Sequence, residues 1–370
     1  MKLDVLISIL GLLSAATSSL SLHPRADDPP LQIIIGAPGR VMSATLPATE
    51  GFEVKGNVSL PEARPSWLLY HPKNDVLYAA DETSTSILHF KNTLPASEKL
   101  TPFDSKTTNF TNIGSSGVVH LTFNKDKTRM LGCSESWAEN VLVKPQQAVL
   151  SPGDDFFAVN DPGADAIFFI NANDADEFAL MGRVNTTDCG PRHGVFHHVS
   201  RNSGMGYTVV CQTANQLWTY KLTYDDKMAI HADGLPTTTA LGIGNSTLLN
   251  GTMPSEVILD SEGTHLYVSI QNAGGVEDNI LLFSVNEDRS LVYEEIFGAG
   301  GRMPQMMSLS KDNKVLFVAN LKGRLGLVAW ERYPKDGRLI RRLTESQISY
   351  FTSEMDSGDG PRFIMEMSKD

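Results

Sequence analysis

Short apolar runs, bounded by polar turns, recur along the chain at a strand-like period. Leu68-Leu69-Tyr70, Ala148-Val149-Leu150, Val257-Ile258-Leu259 and Leu316-Phe317-Val318 are examples, and none extends into a long helical pattern. The runs come in pairs, and six pairs open with a Pro. They are Pro65-Ser66-Trp67 with Leu77 to Glu82, Pro145-Gln146-Gln147 with Phe156 to Asp161, Pro191-Arg192-His193 with Tyr207 to Gln212, Pro254-Ser255-Glu256 with Leu266 to Gln271, Pro304-Gln305-Met306 with Leu316 to Leu321, and the terminal Pro361-Arg362-Phe363. A seventh pair, Val119-His120-Leu121 with Met130 to Glu135, lacks the Pro. Hairpin turns such as His71-Pro72-Lys73-Asn74-Asp75 and Asp260-Ser261-Glu262-Gly263 separate the partners.

The copies begin near 65, 118, 145, 191, 254, 304 and 361. Apart from one short step, that spacing approaches the ~40–50 residues of a propeller blade. The pattern predicts an all-β fold, a seven-bladed β-propeller of four-stranded antiparallel blades, with further strands at Ala166 to Ile170, Gln216 to Leu222, Asn279 to Val285 and Leu325 to Trp330. The last copy holds one strand only. Its blade must therefore be completed from the N-terminus, by Gln32 to Gly36 and Arg40 to Thr45, which closes the ring and removes a sheet edge.

Before the first strand, Val5 to Leu13 is apolar and is followed by small residues, Ser14 to Ser19. This reads as a signal peptide over 1–19, with a flexible segment over 20–30 and one propeller domain over 31–370. The apolar run is too short to span a bilayer, which takes ~20 residues, and no other stretch is long enough. The protein is expected to be secreted, with Asn57, Asn109, Asn185, Asn245 and Asn250 as sequon asparagines open to glycosylation. An oxidising compartment permits one disulfide among Cys133, Cys189 and Cys211, and the sequence does not choose the pair. The 43 acidic and 31 basic residues leave a net charge of −12, which disfavours nucleic acid as a partner. Acidic loop residues from Asp154 to Asp176 lack calcium-loop spacing, so no metal is expected. No Gly-rich phosphate loop or G-x-S-x-G elbow occurs, and no cofactor is implied.

In a hairpin, the start of the first strand and the end of the second meet at one sheet edge. If the paired runs are the inner strands, one mouth of the central channel collects the residues that follow each Pro and those that end each partner strand. Arg192, His193 and Glu256 are the candidate catalytic residues there. Arg192 would polarise a carbonyl or anchor a carboxylate, while His193 and Glu256 would orient the substrate or move its proton. Trp67, Glu82, His120, Glu135, Gln147, Asp161, Gln212, Gln271 and Arg362 are the candidate substrate-binding residues. Glu256 has Arg192 and Arg302 as alternative partners.

Gly190-Pro191-Arg192-His193, Pro254-Ser255-Glu256-Val257 with Leu266-Tyr267-Val268-Ser269, and Leu316 to Asn320 with Trp330 to Leu339 resemble the seven-bladed lactonase family. That family includes propeller 6-phosphogluconolactonases and fungal carboxy-cis,cis-muconate cyclases. The resemblance implies a cofactor-free lactonase, cyclase or isomerase acting on a small oxygenated acid. It also implies that an Arg, a Glu, a His and a second Arg hold a carboxylated substrate. Arg192 keeps the first place, but Gln212 stands for the Glu and Gln271 for the second Arg, with Gln146 and Gln147 nearest the His. An amide cannot exchange a proton as Glu does, nor supply a guanidinium fork, so a substrate with fewer negative charges is expected. The alternative is a non-catalytic secreted or cell-surface binding protein, such as an adhesin. For the enzyme the expected partner is a small-molecule substrate bearing a carboxylate or carbonyl, and a closed propeller is expected to be a monomer.

Overall fold

The computed structural model describes residues 29–47, 51–92, 100–102, 108–109, 117–134, 144–173, 178–197, 205–225, 229–243, 246–247 and 251–367. Their regular structure is almost wholly β, in antiparallel sheets ordered as meanders. Each paired run of the sequence is an inner hairpin. The innermost strands are Pro65–His71 in blade 1, Val118–Phe123 in blade 2, Gln147–Leu150 in blade 3, Pro191–His197 in blade 4, Met253–Leu259 in blade 5, Arg302–Leu309 in blade 6 and Phe363–Glu366 in blade 7. Each touches the next, and blade 7 returns to blade 1, so the seven form a closed ring.

Six of the seven blades have four or five strands, and a separate short pair joins Gly242–Ile243 to Ser246–Thr247. The exception is blade 2, which has only Val118–Phe123 and Met130–Ser134 among the described residues, and it falls at the short step in the repeat. Blades 1 and 4 carry a fifth strand each, Thr108–Asn109 and Thr237–Ala240. Blade 7 joins the chain ends: Phe363–Glu366 pairs with Leu31–Ala37, which pairs in turn with Arg40–Leu46 and then Glu53–Ser59. The signal-like segment lies outside the described residues.

The core lies between facing sheets. Ile33, Ile35 and Ala44 of blade 7 pack on Phe317, Ala319 and Ala329 of blade 6, and Tyr267 and Ile280 of blade 5 pack on Met307 and Val318 of blade 6. Strands buried on both faces explain runs such as Leu266-Tyr267-Val268, where strict alternation is lost.

The prolines mark a repeated distortion. In blades 1, 4, 5 and 6 the register shifts by one residue just after Pro65, Pro191, Pro254 and Pro304. Proline cannot donate to the ladder, and a bulge beside it turns an extra side chain out of the pleat. A second device anchors the same corner. The amide of the residue before the Pro donates to an Asp: Arg64 to Asp81 and Lys144 to Asp161 within a blade, Gly190 to Asp165 and Met303 to Asp278 across blades.

Candidate functional site

The bulges aim side chains at one mouth of the channel, where a cavity of about 570 Å³ opens. Ser66, Trp67, Glu82, Arg192, Gln212 and Arg362 line it, together with His193, Gln305 and Met306. Lys144, Pro162 and Gly163 also reach it; the sequence reading passed over these three, although Lys144 directly precedes a motif proline.

The segment carrying Arg192 and His193 is held from several sides. Gly190 has a left-handed backbone (φ 60°), which favours glycine, and a Cβ on Gly194 would collide with the Tyr207 hydroxyl and ring. Cys189 and Cys211 form the disulfide, and Cys211 pairs in register with Pro191. The bridge therefore ties the strand start bearing Arg192 to the strand end bearing Gln212. Cys133 remains a buried thiol, and burial raises its pKa.

His193 Nδ1 lies 2.7 Å from Glu256 Oε1, and both side chains are buried. Oε1 also accepts the Val257 amide at 3.0 Å, so the short contact is Nδ1–H donating to Glu256. That tautomer leaves Nε2 as the acceptor of a ring that lines the cavity. The second carboxylate oxygen, Oε2, is buried with no hydrogen-bond partner among the described residues. Of the two partners considered for Glu256, neither arginine is used; Arg302 instead pairs with Asp356.

Arg192 reaches the amide oxygens of Gln212 at 3.4 Å and Gln305 at 3.5 Å. These contacts are long and readily exchanged for ligand oxygens. Arg362 pairs with Glu82 at 3.1 Å, across the junction of blades 7 and 1.

Other candidates stand behind this surface. Gln147 is buried and uses Oε1 to accept the Gly194 amide at 2.7 Å and the Asn160 side chain at 3.2 Å, so it fixes the backbone beside His193. Asn160 in turn accepts from Tyr207. Gln271 is buried and donates to Ser255 Oγ, the Pro304 carbonyl and Gln305 Oε1, which supports Gln305 from below. Asp161 is taken up by the amides of Lys144 and Ala164. His120 lies buried against Trp67, and burial first, then the charge of His193, holds its pKa well below the usual value. Glu135 falls outside the described residues. Phe363 is buried behind Trp67 and leaves the cavity open. No group of three or more metal-ligating side chains occurs among the described residues.

Asn57 and Asn185 are exposed. The side chains of Asn109, Asn245 and Asn250 lie outside the described residues. No helix is long and apolar enough to cross a membrane among the described residues.

The sequence matches the family model described as lactonase, 7-bladed beta-propeller, over residues 134–352, and the chain belongs to that family. Among solved structures it is similar to a periplasmic gluconolactonase of Pseudomonas aeruginosa, at 15% identity and a TM-score of 0.71, with 92% of this chain and 100% of that one covered. A candidate 6-phosphogluconolactonase of Bacteroides fragilis is similar at 17% identity and a TM-score of 0.69, covering 92% and 99%. A protein from Lactobacillus plantarum follows at 16% identity and a TM-score of 0.67, covering 86% and 97%. At such identities these likenesses speak for the fold. No curated protein matches the sequence.

Proposed function

We propose that this protein is a secreted, cofactor-independent lactone hydrolase of small oxygenated acids or related metabolites. The observation that carries the proposal is the Glu256–His193 pair beside Arg192 on the wall of one open cavity, in a chain of the lactonase family. Glu256 holds the His193 ring so that Nε2 removes a proton from water, the water attacks the lactone carbonyl, and Arg192 stabilises the oxyanion that develops. The same His193, now protonated, returns the proton to the leaving alkoxide, and the ring opens to a hydroxy acid. Gln212 and Gln305 flank Arg192 without adding charge, which suits a substrate with few anionic groups. Cyclisation, also implied by the resemblance, would be a different reaction: Arg192 would hold a carboxylate as its oxygen adds to a carbon–carbon double bond, and a protonated His193 would deliver the proton to the neighbouring carbon. The open cavity with polar walls favours an enzyme over an adhesin.

The test is a pH-stat assay of the purified protein on a panel of sugar-derived, aliphatic and aromatic lactones. Arg192→Ala and Glu256→Gln should each lower kcat/KM by about 10²-fold, the lower end of an oxyanion-stabilising contribution for the first and of a general acid–base contribution for the second. Unchanged turnover in both variants would remove the assignment. Secretion is supported by the signal-like N-terminus and the disulfide. Expression in a secreting eukaryotic host should yield a chain that begins between residues 17 and 22 and loses mass on N-glycosidase treatment; a retained Met1 would refute it.

A further inference from the structure

Trp67 follows the bulged Ser66, and its side chain sits where blades 7, 1 and 2 meet. His120 lies against it with ring centroids 4.0 Å apart and planes tilted by 37°. Phe363 meets it edge-on at 5.2 Å, and His193 edge-on at 6.3 Å with planes at 80°. These neighbours fix the indole, while its remaining surface lines the cavity beside Val119 and Met306. A side chain already immobilised loses little further rotamer freedom when a ligand settles on it. His120 covers one face of the indole, so a flat ligand would meet the part of the ring that remains on the cavity wall.

The placement of His193 says which part of a ligand would react. A ring stacked on the indole lies ~3.5–4.0 Å above it, the van der Waals separation of carbon atoms. His193 stands edge-on to the indole with ring centroids 6.3 Å apart, and both residues line the same cavity. A ring resting on the indole is thus about one ring's breadth from the imidazole, which suits a reacting group carried in the stacked ring or fused to it. Resting on the reading of this cavity as the substrate site, we infer that Trp67 is a specificity-determining stacking platform. It selects lactones with a flat apolar face, fused to an unsaturated or aromatic ring, over saturated polyhydroxy lactones.

Hydrolysis-resistant lactams test this without turnover. Calorimetric titration of the full secreted protein compares 3,4-dihydroquinolin-2-one, which is aromatic-fused, with monocyclic δ-valerolactam. The wild type should bind the fused lactam at least ~10-fold more tightly, in line with stacking of a ring on an aromatic side chain. Trp67→Phe should keep most of that preference and Trp67→Leu should erase it, with melting curves recorded for both. Leu fills much of the indole volume without a π face, so it separates stacking from packing. No measurable binding of the fused lactam, equal binding of the two, or an undiminished preference in Trp67→Leu overturns the inference. A preference that persists in a protein hydrolysing no lactone would sink the hydrolase reading alone. Lactone hydrolysis without the preference would sink the platform alone.

Discussion

Two histidines at the mouth illustrate how burial and partners separate otherwise equal residues. His193 has a carboxylate at its Nδ1, whereas His120 has an indole face and only a long contact from the Ala148 amide. The depressed pKa of His120 makes the folded protein bind fewer protons than the unfolded chain once pH falls below the unfolded value of about 6.5. Stability should therefore decline as pH drops below about 6.5, and His120→Gln should flatten that decline. Melting temperatures measured from pH 8 to pH 5 check this; parallel profiles for the two proteins would refute it. Arg332 shows the opposite arrangement away from the cavity. It is fully buried, 2.6 Å from Asp260, and bonds the Asn313 carbonyl and the Tyr267 hydroxyl. Burial alone would raise the Asp260 pKa, but hydrogen bonds from His265 and Thr264 and the Arg332 charge outweigh it and bring it to about 2. A carboxyl depressed in the fold contributes stability above about pH 4 that disappears as pH falls toward 2. Arg332→Leu removes the guanidinium from buried Asp260 while the hydrogen bonds from His265 and Thr264 remain, and should cost about 3 kcal/mol, the lower end for breaking a buried pair, in urea unfolding at pH 7.

At the scale of strands and corners, the X-Pro bulge and its Asp anchor form one unit that decides what faces the channel. Asp165 accepts the Thr186 hydroxyl and the amides of Asp188 and Gly190, so it sets the approach to Pro191-Arg192-His193. Asp165→Ala should destabilise by about 1–3 kcal/mol, the cost of leaving buried donors unmet, and should lower kcat more than it raises KM. An effect on stability without one on kcat would mean that the anchor does not position the site. The prolines were legible in the sequence because each stands at the same offset from a strand pair. The strand pairs, the N-terminal strands at 32–36 and 40–45, and the ring closure follow from that offset and from hydrophobic runs alone. The bulges and the anchors were not legible: nothing local distinguishes Asp165, which serves the next blade, from the solvated acids around it. For the same reason Gln147 and Gln271 read as mouth residues. They occupy the correct strand positions, but each lies in the wall and meets partners from other strands. The Glu256–His193 contact joins two blades, and only the ring geometry selects it over the two arginines.

Over the whole molecule, the ring holds by contacts that are far apart in sequence. Arg362 and Glu82 bridge blades 7 and 1 at the closure of the ring, on the cavity wall itself, so closure and site share a residue pair. Removing residues 361–370 would withdraw the innermost strand of blade 7 and leave Leu31–Ala37 with an unpaired edge. The truncated protein should elute as aggregates in size exclusion, in contrast to a discrete species for the full chain. A monomeric, cooperatively melting truncation would show that the terminal strand is dispensable. The disulfide, by comparison, closes a 22-residue separation within blade 4. Its replacement by two serines should cost about 3 kcal/mol without opening the ring.

Blade 7 also fixes where the chain leaves the molecule. Phe363 stands at the mouth, and the strand runs away from it to Met367, whose amide bonds the Gln32 carbonyl near the start of the first strand. Both ends of the described domain therefore emerge on the face opposite the cavity. A linker, affinity tag or surface anchor added at either end would hold the protein with its mouth pointing outward, so an immobilised or displayed form should keep its solution turnover.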